Sequence, residues 1–198
     1  MPNHVVNELI FRDVSKEAQD QILAVAMNKD GEVDFEVLVP APLNIWWGSV
    51  GSRHEKAFQD THLDWARRNW GTKWNAYSHK PVARTADSLT LTFETAWRPP
   101  YGWLAALVNK LALSFDHNWL DEGASRGVAG RFEVTASDSI MGPVNWTEEP
   151  CGDEMQRHLH FLHWGVEEFP PEEDDTQPGT ERSGVDQETI LPQTEKGS

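Results

Sequence analysis

Ser-Leu-Thr-Leu-Thr-Phe-Glu-Thr-Ala-Trp-Arg-Pro-Pro, residues 88–100, carries two patterns in thirteen positions. Leu89, Leu91, Phe93 and Trp97 share one parity, and Ser88, Thr90, Thr92 and Glu94 the other. Side chains alternate across a strand, so this spacing predicts a strand with one buried face. Thr95 falls on the buried parity and is its odd polar member. Pro99-Pro100 then predicts a helix start, since proline suits the first helical position. Trp103, Leu107 and Leu111 line that helix at helical spacing, with Leu104 and Val108 beside them.

Working outward, residues 4–11 are rich in β-branched residues and predict a strand. Ser15 is placed to cap a helix over about 16–28, with Ala18, Ile22 and Ala26 on one face. Asp30-Gly31 ends it. Val33, Phe35, Val37 and Val39 alternate with Glu32, Asp34 and Glu36, which predicts a second strand over 32–39 with one wet face. Ser52-Arg-His-Glu55 has the form of a capping box. The helix it opens would carry Phe58, His62, Trp65, Ala66 and Asn69 on one stripe, and Gly71 suits its C′ position. A short strand is expected at 73–78, and two more at 113–120 and 130–136. A last strand is expected at 157–164. With the insertion at 40–87 set aside, the order is β-α-β followed by β-α-β. That is the split βαβ, ferredoxin-like arrangement: α+β, with helices covering one face of an antiparallel sheet. The expected organisation is one domain, 1–165, followed by a disordered acidic tail, 166–198.

The charge is unevenly distributed. The chain has a net charge of -15 over 198 residues, and 166–198 alone hold ten acids and two bases. Such a segment cannot bury enough apolar surface to order itself. It solvates the protein, or it engages a basic groove as a nucleic-acid competitor would, with Phe169-Pro-Pro and Ile190-Leu191-Pro as short anchors. The net charge argues against direct nucleic-acid or anionic-membrane binding, and for a basic partner. No run of 18 apolar residues suggests a membrane span. Cys151 is the only cysteine, which fits a reducing cytoplasm. No signal peptide is evident.

Met-Pro-Asn-His at 1–4, Asn-Trp-Gly-Thr-Lys-Trp-Asn-Ala at 69–76, Phe-Glu-Thr-Ala-Trp-Arg-Pro-Pro at 93–100 and Phe-Asp-His-Asn-Trp-Leu-Asp-Glu at 115–122 stand in this order. In order and rough spacing they resemble the YubB ferredoxin-like family of phage and plasmid proteins, over about residues 1–136. The resemblance implies a ferredoxin-like fold and a mobile-element origin. It implies no activity and no catalytic residues.

Ten tryptophans supply both core and surface candidates. Around Gly71, Trp70 and Trp74 either close a structural corner, with Lys73 lying over them, or wall a polar pocket in which Lys73 and Asn75 hold an anionic or amide ligand. At 95–98, Trp97 either packs inside a helix-start corner or flanks an anion held by Arg98 and the helix N-terminus. The candidate binding set is therefore His4, Trp70, Lys73, Trp74, Asn75, Thr95, Trp97 and Arg98. His158, His160 and His163 follow Cys151, but no single regular element gathers all three. No metal and no cofactor are expected, with His158 and His160 the weak candidates, read as exposed residues of an edge strand. A P-loop, a nucleophile elbow and a dinucleotide fingerprint are absent. His4, Asp116 and His117 form an acid–base group only if the fold brings them together. The expectation is a non-enzymatic accessory protein of a mobile element. It would bind, and inhibit, a host protein with a basic surface, such as a defence factor, in the cytoplasm of the host cell. The alternative is a small-molecule or nucleotide site walled by tryptophan.

Overall fold

A computed structural model describes residues 3–48, 53, 57, 60–134 and 144–166. Strands β1 (His4–Arg12), β2 (Ala83–Arg84), β3 (Ser88–Ala96), β4 (Phe115–Asp121), β5 (Val128–Glu133) and β6 (Asn145–Pro150) form one antiparallel sheet in the order β2-β3-β1-β4-β5-β6. Helix α1 (Lys16–Ala26) joins β1 towards β2, and α4 (Tyr101–Leu111) joins β3 to β4. The first four strands thus have the ferredoxin-like order, extended on one side by the β5–β6 hairpin.

Parity assigns the faces. Leu9 pairs with Leu91, and Phe11 with Leu89. These side chains, with Phe93, Phe115 and Phe132, meet Ile22 and Ala26 of α1 and Trp103, Leu104, Leu107 and Val108 of α4 in one core. The buried stripe expected on 101–111 is therefore the stripe observed. Ser15 caps α1 as its side chain accepts from the Ala18 N–H.

Three expected elements differ. The alternation at 32–39 does not make a strand. Helix α2 (Phe35–Leu38) forms there, because Asp34 Oδ1 accepts from the Glu36 N–H at 2.9 Å. Asn75 Oδ1 accepts from the Phe35 N–H at 2.8 Å. Two side-chain caps outweigh a weak strand pattern, and the place beside β3 goes to β2. The second difference is at 157–164, which lies within helix α5 (Asp153–Trp164). Gly165, at φ 72°, ends it with a left-handed turn, and Met155, Leu159 and Leu162 form its apolar stripe. His158 and His160 are thus helical residues, and His160 is buried. Helix α5 packs on Val6 and Leu120, the parity opposite to the main core, so the sheet is covered on both faces and not on one. Thirdly, 73–78 contributes only a bridge, Tyr77 to Glu94. Strand β6 has no counterpart in the sequence-based reading.

Helix α3 (His62–Asn69) lies between α2 and β2 and starts at Thr61, whose hydroxyl accepts from the Asp64 N–H. Ser52, Glu55 and Phe58 of the expected earlier start lie outside the described residues, as does the segment 167–198. Gly71 follows α3 with φ 90°, as expected of C′. The C-terminus of α3 meets the start of α4 so closely that a Cβ on Gly102 would stand 2.2 Å from Asn69 O.

Candidate functional site

The end of β3 is the centre of the candidate region, and it begins with a buried polar line across three strands. Asn7 Nδ2 donates to Val5 O and to Thr95 Oγ1, both at 2.9 Å. Thr95 Oγ1 donates in turn to Arg98 O at 2.9 Å. The odd polar member of the strand is thus fully used, holding the turn after β3. In that turn Trp97 has φ 73°, an uncommon conformation for a bulky side chain. Its N–H donates to Asn3 O at 2.9 Å. The result corrects the parity argument: the indole leaves the core and is 51% exposed.

Beside it lies an open groove of 490 Å³ lined by Asn3, Trp97, Arg98, Pro99, Tyr101, Trp119 and Asp121. Tyr101 and Trp119 are fixed in place, because the Tyr101 hydroxyl and Trp119 Nε1 donate to the same Glu148 Oε1, at 2.7 and 3.1 Å. Burial and then the Glu148 carboxylate push the Tyr101 phenol well above its ordinary value. Asp121 Oδ1 accepts from Asn3 Nδ2 and the Gly123 N–H. Arg98 is exposed and makes no ion pair among the described residues.

An anion at the α4 N-terminus loses donors here. The Trp103 N–H is directed to Trp70 O at 3.2 Å and the Tyr101 N–H to Pro99 O. Pro100 is the N-cap, one position earlier than the proline rule suggests, and gives no side-chain cap.

The other predicted residues scatter around this point. Trp70 is fully buried against Phe35 and Trp65, with its indole Nε1 donating to Val39 O, so it walls no pocket. Asn75 is spent on α2, donating also to Asp34 Oδ1 at 2.7 Å. Lys73 lies over the half-exposed Trp74 ring, 4.8 Å from its centre. Such a contact is electrostatically favourable, by about 0.5–1 kcal/mol when exposed. Thr72 Oγ1, donating to Ala96 O, ties this loop to the end of β3.

His4 is on the opposite face of the sheet, in a second polar cluster. Its Nδ1 lies 2.9 Å from the Tyr77 hydroxyl and 3.7 Å from Glu94 Oε2. His163 of α5 brings Nδ1 to 3.2 Å from Glu94 Oε1, off the line of a hydrogen bond, and Nε2 to 3.9 Å from Glu122. Burial alone would raise the Glu94 carboxyl. Contacts with His163 and Ser78, and the charges of His163 and His4, outweigh it and hold the group below its ordinary value. His158 similarly meets the buried Glu8 at 2.7 Å. These histidines join α5 to the sheet. Among the described residues no group of three His, Cys, Asp or Glu is arranged to hold a metal ion.

His4, Asp116 and His117 are not brought together. His117 is buried against Asn7, while Asp116, on the other parity of β4, pairs with Arg12 and Arg131. Sequence reasoning missed Asn3, Tyr101, Trp119 and Asp121 as groove residues. The signal was present: Asn3, Trp119 and Asp121 all lie within the stretches that carry the family resemblance. No helix among the described residues is long and apolar enough to cross a membrane.

No curated protein and no solved structure matches the chain. Residues 69–160, from the end of α3 through most of α5, match the family model described as the ferredoxin-like domain in Api92-like protein.

Proposed function

We propose that this is a binding protein of mobile-element origin, related to the YubB proteins, that engages a host protein and blocks it. The observation that carries this reading is Trp97. A large indole is held half-exposed, in a backbone conformation that costs about 1–3 kcal/mol, beside an aromatic groove. Exposed tryptophan anchored by a rigid scaffold is the usual energetic centre of a protein interface. The net charge of -15 favours a partner with a basic surface, such as a nucleic-acid-binding defence factor of the host.

The tryptophan-walled ligand pocket has less support. Trp70 and Asn75 are committed to the interior, and His4 faces the other side of the sheet. Affinity capture from nuclease-treated bacterial lysate at moderate salt tests the proposal. The wild-type chain retains a stoichiometric protein, and Trp97→Ala/Arg98→Ala releases it. Equal recovery by both baits, or an empty wild-type bait, refutes it.

A further inference from the structure

The polar atoms left free in the Trp97 groove say what would fit it. Trp97 Nε1 and the Arg98 guanidinium have no partner among the described residues, and both are donors. The walls are aromatic and the floor includes Pro99. The charged acceptor left is Asp121 Oδ2, because Oδ1 is occupied by Asn3 and Gly123. A ligand for this surface therefore presents flat apolar rings, exposed carbonyl acceptors, few donors and one cation. Polyproline II chain has these properties: its rings recur every third residue, its backbone makes no internal hydrogen bonds, and proline has no N–H. Aromatic-lined grooves elsewhere use the same physics, because the peptide loses little entropy on binding. A nucleic acid would offer rings too, but its phosphates would meet Asp121, Glu122 and Glu148 on a strongly acidic chain.

We infer that the groove formed by Trp97, Pro99, Tyr101 and Trp119 takes a proline-rich segment of a partner protein, with a basic residue of that segment paired to Asp121. The inference rests on the binding role proposed above and names the chemistry of the partner.

The test follows the indole N–H resonance of Trp97, assigned from its absence in Trp97→Phe, in the full chain. Three short synthetic peptides are titrated: consecutive prolines ending in lysine, the same ending in glutamate, and a glycine–serine peptide ending in lysine. The lysine-ended proline peptide shifts the Trp97 resonance saturably. The glutamate-ended peptide binds about tenfold more weakly, equivalent to about 1.4 kcal/mol. Asp121→Asn removes that preference, while Trp97→Ala weakens both proline peptides with the remaining resonances in place. An unsaturable titration, or an equal shift with glycine–serine, overturns the inference. Used as a competitor in the lysate capture, the peptide separates the two claims. A host protein lost in Trp97→Ala/Arg98→Ala but not displaced by the peptide overturns this inference and leaves the binding role. Saturable peptide binding with no host protein captured supports the groove assignment and refutes the host-blocking role.

Discussion

His117 Nε2 lies 3.1 Å from Asn7 Oδ1 in the interior, and that contact fixes the state of both side chains. Asn7 uses its amide hydrogens on Val5 O and Thr95 Oγ1, so its oxygen is the acceptor and His117 Nε2 carries the proton. Nδ1 is left buried with no partner among the described residues. Burial pushes the imidazole down to about 3. The folded chain therefore refuses a proton that the unfolded chain accepts near its ordinary value of about 6.5. The stabilising contribution is complete above that value and is lost as pH falls towards 3. Urea denaturation at pH 7 and pH 5 should show about 2 kcal/mol lost from this group. His117→Phe should flatten the difference, whatever its absolute stability. An unchanged slope would assign the acid sensitivity elsewhere.

Thr95 is the next member of the same line. Thr95→Val keeps the shape but removes the acceptor for Asn7 and the donor to Arg98 O. Leaving buried polar groups unpaired should destabilise the chain by about 1–3 kcal/mol. Thr95→Ser should recover most of this. Thermal denaturation measures the loss, and the indole N–H resonance of Trp97 reads the loosened turn.

Asn75 should behave as a structural cap and not as a ligand contact. Asn75→Ala frees the Phe35 N–H and detaches α2 from the loop, with an expected loss of about 1–2 kcal/mol in denaturant titration. Lys73→Ala, which removes one surface cation–π contact, should cost less than about 1 kcal/mol. Equal losses would contradict these roles.

Helix α5 depends on the Glu94 carboxylate. Because that group is held below its ordinary value, its contribution is present above the ordinary carboxylate range and fades as pH falls through the folded value. Glu94→Gln should therefore reduce hydrogen-exchange protection of α5 at pH 7. The difference from wild type should shrink at pH 3.

Gly102→Ala should be among the most damaging single changes. The new Cβ would collide with Asn69 O, a backbone atom that cannot swing aside. A loss of about 1–3 kcal/mol or more is expected from overpacking, read as a lower denaturation midpoint.

The elements legible in sequence were those whose signal is local. The alternation of 88–96, the stripe of 101–111 and the Ser15 cap all report on contacts a few residues away. Phe35 was misread because its decisive partner, Asn75, is remote in the chain. Trp97 was misread because parity says nothing of a left-handed turn made by Thr95 and Asn3. Helix α5 is different: its stripe at Met155, Leu159 and Leu162 is local, and the strand expected at 157–164 overlooks it. Candidate residues were legible by type, and their grouping was not. Two faces of one sheet separate His4 from Trp97, and only the register of β1 against β3 shows that.

Strand β1 lies between β3 and β4, yet precedes both in the chain: Val5 pairs with Thr95 on one side and with Asp121 on the other. During synthesis it must therefore wait for its first partner until β3 is complete at residue 96, and its other edge stays open until the ribosome has delivered residue 121. Closing such long loops early is entropically unfavourable, so folding should be slow and the nascent chain exposed to aggregation. The long stretch between α2 and β2 lengthens that wait.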